Sequence, residues 1–182
     1  MKSALTKEEQ NLFDKTFLSL KNVFGEEKFQ KLSEWLDENE FLVKCAGAKH
    51  HGTKDGDLAR HSFEVYNQLS KLTDCNNLIW QRKESPLIVG LLHDICKCYN
   101  YKKDSNGKWI WNTETLLGHG SLSVSTLVSL VDLTDEEKMC IRYHMGAYEG
   151  QEIWGELSNA IKLYPNILWT HQADMIASKF YI

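Results

Sequence analysis

A histidine–aspartate doublet, His93-Asp94, follows directly on the apolar stretch Leu87-Ile88-Val89-Gly90-Leu91-Leu92. An ionisable pair at the end of such a run is expected near the core, where a polar group is costly to bury without a partner. Candidate partners recur along the chain in the order His61, His93-Asp94, His119, His144 and Asp174. If they act together, the fold must gather side chains spread from position 61 to position 174. Histidine and carboxylate together suit a divalent transition metal, which can turn water into a nucleophile near neutral pH.

The rest of the pattern is helical. Only Pro86 and Pro165 interrupt the chain, and no repeat or low-complexity linker divides its 182 residues. One domain is expected, with N-terminal helices over 1–45 packed on a core over 50–180. Thr6 and Glu9 form a capping box ahead of Leu12, Phe13, Phe17 and Leu20, which predicts an amphipathic first helix. A second helix is expected from Glu27 to Asp37 with Phe29, Leu32 and Trp35 facing inward. Cys45 to Asp57 reads as a loop, and a helix begins near Leu58. Pro86 suits the first turn of the helix expected to carry His93-Asp94. Aromatic runs on either side of Asp104-Ser105-Asn106-Gly107 predict a small β-hairpin within residues 99–112. Further helices are expected over 121–131, 135–145 and 165–180, with Thr134 and Glu137 as a second capping box and Gly146 as a stop. The fold class is therefore all-α with one hairpin insertion.

Each candidate ligand also has a plainer explanation. Asp174 stands in Ala173-Asp174-Met175-Ile176-Ala177 and is either a buried, partnered carboxylate or a surface residue on the solvent side of the last helix. Small residues at 173 and 177 would let that helix lie close to a neighbour. His61 precedes Phe63, Val65 and Tyr66 and could be a core histidine bonded to backbone. His144 could sit at a helix C-terminus for the macrodipole, and His119, between Gly118 and Gly120, could be a turn residue. Lys97, one turn after the doublet, is either a phosphate contact or a solvated lysine.

Charge and cysteine usage narrow the setting. A net charge of −4 argues against a broad basic face for nucleic acid, though a local cationic pocket is compatible with it. Five cysteines at irregular spacing do not make a disulfide framework and are expected to be reduced. No apolar run approaches the roughly 18 residues of a membrane span. The first residues turn acidic without the apolar stretch of a secretion signal, so a cytoplasmic location is expected.

Taken in order, His61, His93-Asp94 and Asp174 resemble the HD-domain superfamily of metal-dependent phosphohydrolases over roughly residues 50–180. His50-His51, Gly56-x-Leu58-x-x-His61 and Leu91-Leu92-His93-Asp94-x-x-Lys97 are similar to the HD domain of bacterial 3′–5′ exoribonucleases. Leu116-Leu117-Gly118-His119-Gly120 and Ile141-Arg142-Tyr143-His144-Met145-Gly146 look like stand-alone bacterial and phage HD hydrolases. The OB domain of the exoribonucleases has no counterpart here. The resemblance implies a helical bundle around an ion site. His61, His93, Asp94 and Asp174 would hold one metal, and Asp94 would bridge to a second held by His119 and His144.

The implied activity is hydrolysis of a phosphoester by a metal-bound hydroxide, with Asp94 and Lys97 at the reaction centre. The cofactor would be two divalent ions, of Mn, Fe, Co or Ni, with Zn or Mg as options. Lys97, Arg142, Tyr148 and His171 are candidate substrate contacts, His171 because it lies three residues before Asp174 on one helix face. Arg142 could equally be a surface arginine and His171 a packing residue. Tyr99, Tyr101, Trp109 and Trp111 could stack on a base or pair across the hairpin. The expected substrate is a nucleotide or short oligonucleotide. A nucleotidase leads, ahead of a phosphodiesterase, a 3′–5′ exonuclease or a dinucleoside polyphosphate hydrolase. A non-catalytic nucleotide-binding module and a purely structural helical protein are the readings of another class.

Overall fold

A computed structural model describes residues 2–48, 52–115 and 117–181. The chain forms α1 (Lys7–Leu18), α2 (Leu20–Phe24), α3 (Glu26–Glu38), α4 (Asp57–Asn76), α5 (Ser85–Leu92), α6 (Lys97–Asn100), β1 (Tyr101–Lys103), β2 (Trp109–Trp111), α7 (His119–Val128), α8 (Asp135–Tyr143), α9 (Trp154–Leu163) and α10 (Asn166–Phe180). It is all-α with a single two-stranded antiparallel hairpin among the described residues. No described helix is long and apolar enough to cross a membrane. His50, His51 and Leu116 lie outside the described residues.

Both capping boxes form: Thr6 and Thr134 each accept from the amide three residues on, and Glu9 and Glu137 reach back to the cap amide. Each box also ties its helix to another element. Glu9 receives two bonds from Arg60 on α4, which hold its carboxyl down at about 2. Glu137 accepts from Ser85 Oγ at 2.7 Å and pairs with Arg82, so the start of α8 is clasped to the start of α5. Neighbouring Glu136 accepts from the Gln81 amide and from Asn166 Nδ2.

The core runs from Phe13, Phe17, Leu32 and Leu36 through Leu58, Val65 and Leu69 to Ile88, Leu92, Ile141, Ile167 and Ala173. At its centre, α5 is buried on every side, as expected of a helix apolar all round. It packs against α4 and α8, while α10 packs against the same two helices. Ala173 and Ala177 are fully buried on α10, in keeping with close helix approach.

Several expectations need amending. Leu12 is 50% exposed, because Phe13 and Phe17, one turn apart, define the buried face of α1 and Leu12 lies about 100° round from it; Leu20 belongs to the separate α2. The hairpin strands begin at Tyr101, since Tyr99 and Asn100 belong to α6. Helices α2, α6 and α9 have no counterpart in the sequence reading. Tyr101 and Trp111 face each other across the strands with ring centroids 5.6 Å apart, and Tyr99 packs on Trp35. Trp109 is buried, donates to Asp55, and lies under Lys44 and Lys103. Tyr101 and Trp109 are thus engaged by protein, while Trp111 keeps 47% of its surface exposed.

Gly90 sets the spacing between α5 and α4. A Cβ there would stand 2.4 Å from Tyr66 Cα, a backbone atom that cannot swing away. Gly90→Ala should therefore cost about 3 kcal/mol and lower the melting temperature by roughly 6 °C or more, measurable by thermal circular dichroism. The cysteines are all free, and only Cys75 is exposed. Burial pushes the Cys45 thiol up to about 11 and the Cys96 thiol to about 12. Ellman's reagent should accordingly titrate one thiol per native chain and all five after denaturation.

Candidate metal centre

Five elements meet at the site. The buried side of α4 carries Leu58, His61, Ser62 and Val65, so His61 faces inward on the same stripe as the core. The expectation that the Pro86 helix would carry the doublet is corrected by one residue. Helix α5 ends at Leu92, His93 is its C-cap, and Asp94 lies in the turn leading to α6. That turn, closed by the Lys97 amide on Asp94 O at 2.9 Å, brings the two side chains of Asp94 and Lys97 to the same side. His119 opens α7, His144 caps the end of α8, and Asp174 sits midway along α10. Its side chain is only 13% exposed, so Asp174 faces the interior and not the solvent.

The six side chains converge around the two oxygens of Asp94. Asp94 Oδ2 lies 3.3 Å from both His61 Nε2 and His93 Nε2, and Asp174 Oδ1 lies 3.1 Å from His61 Nε2. Asp94 Oδ1 lies 2.6 Å from His119 Nε2 and 3.4 Å from His144 Nε2. His93 and His144 rings are 4.8 Å apart, and His119 and His144 rings 5.2 Å. Two groups, His61–His93–Asp94 and His93–His144–Asp174, offer ligand atoms close enough to share one ion; Asp94–Cys96–His119 is a third.

The ring hydrogen bonds favour ligation. His93 Nδ1 lies 3.0 Å from Gly90 O and His144 Nδ1 2.7 Å from Ile141 O. A carbonyl can only accept, so each Nδ1 carries a proton, and in the neutral ring the lone pair lies on Nε2. The Nε2 atoms of His61, His93 and His144 are buried without a hydrogen-bond partner among the described residues. Carboxylates are near, but off the hydrogen-bond direction. Unpartnered imidazole nitrogens beside buried carboxylates are a donor set that fits divalent cations.

Electrostatics agree. Burial works against an ionised Asp94, yet Lys97, His93 and His119 hold it well below the usual carboxylate range. Burial also opposes the charge of Lys97, but Asp94 and Asp174 outweigh it and raise the ammonium above its ordinary value. Burial lowers His93 and His119, keeping them neutral as ligands must be. For His61 and His144 burial is overcome by nearby carboxylates, and both are raised.

Outside this cluster the candidates separate. Lys97 is 12% exposed and its Nζ lies 2.5 Å from Asp94 Oδ2, so it turns into the centre instead of into solvent. Tyr148 is 65% exposed at the rim of a cleft of about 140 Å³. Asp94, Lys97 and Asp174 line the same cleft with Met145, Met175 and Ser178. His171 bonds through Nδ1 to His144 O at 2.7 Å and so braces a ligand's backbone. Arg142 directs Nη1 to both carboxylate oxygens of Glu149, at 2.8 and 3.0 Å. The sequence reading passed over Cys96 and Asn100, whose side chains touch His119, and Ser178, which donates to Asp174. Ser178 stands one helical turn from Asp174 and could have been found by spacing; Asn100 carries no such signal.

No protein-family model, characterised protein or solved structure matches this chain, so the site stands on its own geometry.

Ligation requires unprotonated imidazoles, and His61 and His144 hold protons into a pH range where free histidine has lost them. Adding Zn²⁺ near pH 7 should therefore release protons, and affinity should fall as the pH drops. Calorimetry in two buffers of different ionisation enthalpy counts those protons; equal heats in both would contradict this electrostatic picture.

Proposed function

We propose that the chain is an HD-type metal-dependent phosphohydrolase acting on a nucleotide or short oligonucleotide phosphoester, with removal of a terminal phosphate favoured. The observation that carries the proposal is the convergence of three buried, unpartnered Nε2 atoms on two carboxylates, Asp94 and Asp174, which line a cleft together with Lys97. The ordered motifs from His61 to Asp174 support the same assignment.

His61, His93, Asp94 and Asp174 would hold one ion, and Asp94, His119 and His144 would hold a second. The split of Asp94 contacts between its two oxygens supports a bridging role. Imidazole-rich donor sets suit Mn, Fe, Co, Ni or Zn better than Mg. When bound, the ions would supply an acidified water and positive charge for the phosphate.

The chain's own side chains would do the rest. Lys97 would take a phosphate oxygen, since its ammonium already points into the cleft floor. Tyr148 presents a ring at the rim on which a sugar or base could rest. Arg142 pairs with Glu149 and does not line the cleft, whereas Lys97 does, so we assign the phosphate to Lys97. The small volume of the cleft, about 140 Å³, and the net charge of −4 favour a terminal phosphate over a long polyanionic track.

A panel of nucleoside mono-, di- and triphosphates, cyclic nucleotides and short RNA with added Mn²⁺ tests the reading. Phosphate release from monophosphates is expected. Asp94→Ala should abolish turnover and metal retention with helix content intact, and Lys97→Ala should lower kcat/KM by about 10²-fold or more. His144→Ala should reduce bound metal from two to one per chain. Retained metal and nucleotide without turnover of any panel member would mean a binding module; absence of bound metal would mean a histidine-lined core.

A further inference from the structure

Asn100 ends α6 fully buried, beside His119 and away from the open cleft. Its Nδ2 stands 3.2 Å from His119 Nδ1 and 3.6 Å from Cys96 Sγ. Its Oδ1 is buried with no hydrogen-bond partner among the described residues. The hairpin pins this residue from outside, because the Asn112 amide donates to Asn100 O at 2.8 Å and Asn112 Nδ2 donates to Tyr99 O at 3.0 Å.

The orphaned oxygen has a consequence for His119. With Nδ2 facing the ring, the amide donates and His119 Nδ1 must accept. The ring proton then lies on Nε2, directed at Asp94 Oδ1 2.6 Å away, and Nε2 has no lone pair for a metal. If the amide turns by 180°, Oδ1 faces the ring and accepts from a protonated Nδ1. That turn satisfies the orphaned oxygen and frees the Nε2 lone pair, while Nδ2 gives up Cys96 Sγ and takes the place the oxygen held. The two ends of an amide have nearly the same shape, so both arrangements fit one pocket. Cys96 Sγ, 3.1 Å from Nδ1, is a weak acceptor and a poor substitute for the carbonyl.

We propose that Asn100 is the positioning residue that selects the His119 tautomer, with its amide oxygen turned to the ring when the second metal position fills. The proposal rests on the metal assignment above. It gives the hairpin a task, which is to hold Asn100 in register with His119.

Long-range ¹H–¹⁵N spectra of ¹⁵N-histidine-labelled protein report directly which nitrogen of His119 is protonated. In the metal-free wild type Nδ1 should be unprotonated, and Zn²⁺ should convert it to the protonated form. Asn100→Asp presents only acceptors, so Nδ1 should be protonated with or without Zn²⁺. Asn100→Leu should weaken the second equivalent of Zn²⁺ by about 10-fold or more and leave the first unchanged. Identical His119 protonation in wild type and Asn100→Asp would overturn the proposal, as would an unchanged second affinity in folded Asn100→Leu. Should Asn100→Leu not fold, the near-isosteric Asn100→Asp decides the matter alone. If the wild type takes up no Zn²⁺, the metal assignment fails, and the metal-free comparison still tests whether the amide governs the ring.

Discussion

A buried carboxylate that needs several cationic or proton-bearing neighbours organises this protein. Asp94 is almost entirely removed from water, and its two oxygens face Lys97 and four imidazoles. Isolating such a charge costs several kcal/mol even after relaxation, and removing one partner of a buried pair typically costs about 3–5 kcal/mol. Replacing the whole cluster by packed apolar residues would as a rule be neutral or stabilising. Core stability therefore does not require these residues here. A ligand-binding role gives them a physical reason to stay.

The convergence depends on how closely the backbones approach. Gly90 lets α5 press onto α4, which places the His93 and His61 rings 5.3 Å apart. Gly120 does the same for α7 and the end of α8, since a Cβ there would meet Arg142 O at 2.1 Å. The His119 and His144 rings consequently come within 5.2 Å. Ala173 and Ala177 bring α10 down onto α4 and carry Asp174 to His61. His119 and Asp174 stand beside Gly120 and Ala173, and Gly90 lies one helical turn before His93 and Asp94, so small residues mark the close approaches that bring these side chains together.

Acidic clasps fix the same helices at their ends. Glu137 belongs at once to its own capping box and to the Arg82–Ser85 corner, so α8 cannot shift along α5 without losing the bonds to Arg82 and Ser85. His144 lies at the far end of that helix, and its Nδ1 bond to Ile141 O orients the ring. Backbone carbonyls thus orient His93 and His144 and leave their Nε2 atoms facing Asp94.

Much of this was legible in the residues themselves. Capping boxes at Thr6 and Thr134, the Asn-Gly hairpin and the proline-opened apolar helix are local signals, because backbone hydrogen bonds and side-chain periodicity act within a few residues. The six candidate ligands were named for the same reason: their chemistry is carried by residue type. What local signals could not reveal was where each side chain ends up. The inward turn of Lys97, the diversion of Arg142 to Glu149 and the placement of Asn100 beside His119 all depend on partners distant in sequence or on the exact end of a helix. The kinds of groups present and their helical setting were written in the chain; their meeting at Asp94 was decided by packing, because only close backbone contact and the cost of burying charge can select among distant neighbours.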